Sequence, residues 1–244
     1  MIKLELTPKP EQLAAEEDKL TAEFIADNSK PVWNKKYIKD ALMDMSNNKC
    51  AYSEVRLNVA STYLEVEHFK HKKKYQEDVV KWGNLLPSCK KCNATKGDWD
   101  VEKDPIVNPL VDEPKDYLYV EGFRYYGKDK KGQNTIIALA LNDFTHFTRQ
   151  RAYIALKIIE DLENCLKAIR NATTNHEQKS EINRLKSILV MFLPSEEFSA
   201  VISTYVLYES HLFDEIESLL KLQNLWDEEL ISIKKDLVRI AMPK

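Results

Sequence analysis

Glycine is scarce in this chain, 5 in 244 residues, while charged residues make up 31%. That balance counts against a turn-rich chain and for a helix-rich soluble one. No apolar run approaches the ~18 residues that a membrane span requires. The opening Met1-Ile2-Lys3-Leu4-Glu5-Leu6 lacks the long apolar core of a secretion signal. A cytoplasmic protein with no membrane attachment is therefore expected. Cysteines number only 4, two of them in Cys89-x-x-Cys92, which excludes a disulfide framework and reads as metal-binding or buried. A net charge of -3 excludes a broadly basic surface. No internal repeat and no low-complexity tract is present.

What is there divides into three stretches. Residues 1–48 carry two amphipathic patterns. Leu13, Leu20, Phe24 and Ile25 predict a helix within 9–28 that opens after Pro8 and Pro10, and a second is expected over 33–45, ending at Ser46-Asn47-Asn48. Residues 49–114 hold a clear strand at 63–66, a short helix over 90–96 entered from Cys89, and a Pro- and Asn-rich loop over 104–114. Residues 115–244 begin with small strands at 117–120, 123–126 and 135–139, with a turn at Lys131-Gly132-Gln133. They continue as helices, one capped by Asn142 and running through Ala168, one over 177–191, and one starting at Pro194-Ser195-Glu196-Glu197. Two apolar stripes, Leu156-Ile158-Ile159-Leu162-Leu166-Ile169 and Leu219-Leu220-Leu222-Leu225-Trp226, are expected in the core. The fold class is α+β, mostly helical.

The chemistry concentrates between Glu65 and Asp98. Hydrolysis of a phosphodiester needs a water nucleophile, a base for its proton, and positive charge near the leaving oxygen. His68 is a candidate base, since imidazole titrates near neutrality. The Glu67 carboxylate and the Asn93 carbonyl are hard oxygen donors, which favour Mg²⁺ or Mn²⁺ over Zn²⁺. Side chains alternate along a strand, so the separation of Glu67 from His68 depends on where the strand ends. Asn84 is a candidate to hold His68, or the backbone beside it. Lys72, Lys90, Lys91 and Lys96 sit in a local lysine cluster that suits a polyanion, with Lys96 placed to neutralise a phosphate. His71 could touch phosphate as well. Trp82 is expected in the core. His146, His176 and His211 read as structural, and Cys165 as inert. Glu54 and Glu65 lie near the motif without an assigned role.

Glu67-His68, Asn84 and Asn93, in that order, resemble the HNH nuclease motif. The resemblance implies a ββα-metal core at 49–114, with N-terminal helices before it and a helical region after it that binds a partner. It implies His68 as general base, Glu67 and Asn93 as metal ligands, Asn84 as support for the hairpin, and products with a 5′-phosphate and a 3′-hydroxyl. Cys50-Ala51-Tyr52-Ser53-Glu54, Val66-Glu67-His68-Phe69, Trp82-Gly83-Asn84-Leu85-Leu86, Cys89-x-x-Cys92-Asn93, Lys96-Gly97-Asp98 and Asn108-Pro109 extend it. These segments are similar to PtuB, the family of HNH subunits in Septu and retron-linked anti-phage systems. That likeness implies an ATPase partner of the ABC/SMC type (PtuA-like), a nucleic acid substrate, DNA or RNA including tRNA, and in retron systems a reverse transcriptase with its DNA and RNA.

Many HNH proteins bind a structural Zn²⁺ through two Cys-x-x-Cys pairs. Here Cys89 and Cys92 form an intact pair, while the other reads Cys50-x-x-Ser53, and a serine hydroxyl is a poor zinc ligand. Zinc on Cys50, Cys89 and Cys92, with His71 as a conceivable fourth ligand, stands beside a metal-free clasp of three small buried groups. Ser53 and the acidic overall charge also leave room for a rival reading, a non-catalytic HNH-derived adaptor that binds the ATPase.

Overall fold

The computed structural model describes residues 1–59 and 62–244. The chain forms two compact units, one of residues 1–118 and 126–141, the other of residues 119–125 and 142–244.

The first unit begins with α1 (Glu11–Ala26), which has Pro10 at its N-cap and buries Leu13, Leu20 and Phe24. Proline is tolerated there because no donor is required of it. The next helix, α2 (Lys36–Met45), buries Ile38, Leu42 and Met45 at helical spacing. It stops at Asn47 and Asn48, both at positive φ, a conformation asparagine tolerates better than most side chains.

Strand β1 (Leu64–His68) pairs antiparallel with β2 (Leu85–Cys89), setting Glu67 opposite Leu86 and His68 opposite Leu85. Helix α3 (Lys90–Lys96) follows at once, with Cys89 at its N-cap and Gly97 (φ +47°) closing it. A strand pair thus runs straight into a helix, and residues 69–84 form the connection between the strands. Trp82 anchors that connection through Nε1, which donates to the Thr7 carbonyl at 2.7 Å.

The expected strand at 135–139 and the turn at Lys131-Gly132-Gln133 are instead parts of one helix, α5 (Lys130–Ala138). The Asp129 side chain caps it by accepting from Gly132 N at 2.7 Å. The β-branched Thr135 adapts by donating its hydroxyl to Lys131 O while accepting from Val107 N. Gly132 is needed for close approach, since a Cβ there would lie 2.1 Å from the Tyr117 carbonyl oxygen. Packing thus overrides the strand preference of Thr-Ile-Ile. Between them, α4 (Pro114–Tyr117), β3 (Leu118–Glu121) and β4 (Arg124–Gly127) precede α5.

The second unit is helical: α6 (Arg149–Asn171), α7 (Asn175–Leu189), α8 (Ser199–Thr204), α9 (Leu212–Leu222) and α10 (Glu228–Ile240). Asn142 does not cap the long helix. Its amide instead pairs with the backbone of Tyr125 in both directions, each bond 2.8 Å. A π-turn at Phe144–Thr148, capped by Asp143, intervenes before α6. Pro194-Ser195-Glu196-Glu197 is a turn rather than a helix start. Ser195 Oγ donates to Glu196, and Phe198 in the left-handed region delays α8 to Ser199. Of the two apolar stripes, Leu156 and Leu222 face outward. Among the described residues no helix is long and apolar enough to cross a membrane.

Candidate active site

The end of β1, the start of the following loop and α3 enclose a cavity of about 210 Å³ lined by Glu67, His68, His71, Lys72, Asn93, Gly97 and Asp98. Adjacent strand residues ordinarily point to opposite faces. Glu67 and His68 share this cavity because His68 is the last residue of β1.

The imidazole of His68 is 4% exposed. Its Nε2 lies 2.9 Å from the Val79 carbonyl oxygen. Nε2–H is therefore the donor, and Nδ1 is the ring nitrogen left with a lone pair. The Trp33 ring stands edge-on to it with centroids 4.7 Å apart. Burial, and next the Lys72 charge, push the His68 pKa down to about 3, so the ring is neutral.

Glu67 is buried too, and Lys96 Nζ lies 2.6 Å from its Oε1. Burial pushes the carboxyl up to about 7 against the pull of Lys96 and Lys72. Asn93 Nδ2 donates to Glu65 Oε2 at 2.7 Å, which leaves Oδ1 as the atom for a cation. Glu65 had no assigned role in the sequence, and this bond supplies one. A carboxylate and an amide oxygen beside a neutral imidazole are the donor types that a hard divalent cation would take.

Asn84 does not line this cavity. Its Oδ1 accepts from Lys70 N at 2.7 Å, and its Nδ2 donates to the carbonyls of Lys70 and Asp78 at 3.2 and 2.9 Å. It staples the connecting loop that carries Val79, and so acts on the backbone near His68 rather than on reacting atoms.

The lysine cluster differs from the expectation. Lys96 is 2% exposed, and besides Glu67 it holds the His68 carbonyl at 2.9 Å; it does not face solvent. Lys70 pairs with Glu102 at 2.5 Å, Lys74 with Asp100 at 2.6 Å, and Lys73 with Asp98. The acids come from residues 98–102, beyond the span over which the lysines look unopposed. Lys72 instead lies 4.8 Å from the centre of the Trp33 ring. Lys90 is exposed and Lys91 half-buried at the start of α3.

Cys50, Cys89 and Cys92 bring their sulfurs within 4.8 Å of one another in a buried group that could hold a metal ion. Ala51 N donates to Pro87 O at 2.8 Å, which seats the Cys50 turn on β2. Ser53 Oγ lies 3.7 Å from Cys89 Sγ, beside the three sulfurs. His71 is not in this group; it borders the cavity of His68 and packs edge-on against Tyr75. Burial alone would raise the Cys50 thiol, but hydrogen bonds from Cys89, Cys92 and Ser53 outweigh it and hold Cys50 well below the usual thiol range. The Cys89 thiol, hydrogen-bonded to that sulfur, is pushed up to about 12. Three soft sulfur donors with one favoured as thiolate fit Zn²⁺ better than a hard cation.

Trp33 and Val79 escaped the sequence reading. Both act through contacts to a residue distant in sequence, and no local motif marks them.

The chain is 40% identical to Septu protein PtuB of Bacillus thuringiensis over 94% of its own length and 90% of that protein. It is 27% identical to Septu protein PtuB of Bacillus mycoides over 63% of its length and 64% of that protein. No protein-family model matches the chain.

Proposed function

The chain belongs to the Septu PtuB family, and from that premise we propose that it is a metal-dependent endonuclease of the HNH type, acting on nucleic acid in anti-phage defence beside an ABC/SMC-type ATPase. The observation that carries the reading is the single cavity shared by Glu67, His68 and Asn93 with the imidazole fixed in one tautomer.

In this reading Glu67 and Asn93 would hold Mg²⁺ or Mn²⁺, which supplies positive charge at the scissile phosphate and the leaving oxygen. The residues do the rest. His68 takes the proton of the attacking water on Nδ1. The Val79 carbonyl and the Trp33 edge keep that nitrogen aimed, and the Val79 bond stabilises the imidazolium that forms. The low basicity of His68 in the free chain reflects burial and Lys72, and an incoming phosphate offsets the Lys72 charge. Asn84 is a positioning residue. Cys50, Cys89 and Cys92 would hold a structural Zn²⁺ that ties the Cys50 turn to β2 and α3.

The test is cleavage of plasmid DNA and of RNA by the purified chain with Mg²⁺ or Mn²⁺, with and without the ATPase. His68→Ala should abolish cleavage while leaving the circular dichroism spectrum unchanged. Metal-dependent cutting retained by that variant would overturn the reading, and absence of cutting by the wild type under all of these conditions would favour the adaptor role.

A further inference from the structure

A second cavity, of about 550 Å³, lies at the start of β1, at the other end of that strand from His68. Its lining includes Asn34, Lys36, Lys39, Asp40, Asn58 and Tyr63, with Met43 beside them. The two are joined by the same elements. Leu64, at the start of β1, borders the second cavity, while Glu67 and His68 border the first. Trp33, whose ring meets His68, directly precedes Asn34. Three residues of strand separate Leu64 from Glu67, about 10 Å at ~3.3 Å each. That is about three steps of a stacked strand at ~3.4 Å rise.

The chemistry of the lining is specific. Tyr63 is 68% exposed, an aromatic face left open rather than packed. Lys36 pairs with Asp40 at 2.5 Å, whereas Lys39 has no acidic partner among the described residues. Asn58 Oδ1 accepts from Leu64 N at 3.1 Å, which orients its amide and leaves the NH₂ group to donate. Met43 supplies an apolar wall. An open aromatic face, a free cation and amides able to read a base edge together match one nucleotide of an unpaired strand, since a duplex offers no base face to stack on.

We propose that this cavity is a nucleotide subsite for single-stranded nucleic acid, in which Tyr63 stacks a base, Lys39 contacts the backbone, and the strand runs along β1 to the linkage cut at His68. The proposal rests on the nuclease reading and extends it to the substrate's form.

The experiment is fluorescence anisotropy of short labelled single-stranded DNA and RNA of equal sequence, in EDTA so that binding is read without cleavage. Tyr63→Ala should weaken binding about 10- to 100-fold, with Tyr63→Phe close to wild type. Lys39→Gln should lower the slope of log affinity against log salt by about 0.7, the value for one phosphate contact on a single strand. With metal restored, Tyr63→Ala should raise KM and leave kcat nearly unchanged. The arm that responds, DNA or RNA, identifies the substrate class. Unchanged binding in both Tyr63→Ala and Lys39→Gln overturns the subsite, as does duplex binding as tight as single-strand binding and indifferent to Tyr63. If wild type cuts with metal but the variants keep its KM, the subsite alone falls. If wild type binds through Tyr63 yet never cuts, the nuclease reading alone falls.

Discussion

Lys96 Nζ lies 2.6 Å from Glu67 Oε1 inside the protein, both side chains almost wholly buried. A lysine at the end of α3 thereby braces the carboxylate at the end of β1, and its bond to the His68 carbonyl braces the neighbouring residue as well.

Replacing Lys96 by Met should leave Glu67 buried without its counter-charge. The cost should be about 3 kcal/mol, the lower end for breaking a buried pair, because Glu67 can take up a proton instead. Folded-state basicity of Glu67 above its unfolded value means that rising pH works against the fold as the group ionises. Urea denaturation should therefore show a smaller loss in Lys96→Met at about pH 5 than at about pH 8.

Asn84→Ala removes three hydrogen bonds from the loop between β1 and β2. A loss of about 2–4 kcal/mol is expected, since the stranded backbone groups are partly closed off from water. Hydrogen exchange at the Lys70 amide should accelerate, and kcat should fall more than nucleic acid affinity as Val79 loosens its hold on His68.

Ser53→Cys should convert the three-sulfur group into a four-sulfur site. Its zinc affinity should rise tenfold or more, read by competition with a chromogenic chelator. Cys92→Ala should do the reverse and lower the melting temperature of zinc-loaded protein. Equal affinity in wild type and Ser53→Cys would show that residue 53 contributes nothing to the site.

Asp98, Asp100 and Glu102 occupy Lys73, Lys74 and Lys70. These are exposed pairs, worth little for stability, so the triple change to Asn, Asn and Gln should fold normally. Freed of their partners, the lysines should bind nucleic acid more tightly, and the salt slope should steepen by about 0.7 per added contact for a single strand. An unchanged slope would show that these lysines lie off the nucleic acid path.

Much of the architecture was legible locally. Ile38, Leu42 and Met45 mark a helix face by spacing alone, and Cys89 followed by Lys90–Lys96 reads as a turn into a short helix because capping is a nearest-neighbour effect. The misreadings share a cause. Thr135-Ile136-Ile137 looks like strand because β-branched residues favour it, yet Asp129 caps a helix there and Gly132 lets it pack on Tyr117. Asn142 looks like a cap, yet Tyr125 claims its amide.

The order Glu67-His68, Asn84, Asn93 and the cysteine spacing were set by the sequence itself, because they depend on residue identity and short-range spacing. Only the tertiary structure decided that Lys96 is a buried brace, that Asn84 staples a loop, and that Val79 and Trp33 orient His68. Those roles are electrostatic and steric relations between residues 6 to 35 positions apart, and side-chain contacts of that reach outside a helix exist only once the chain has folded.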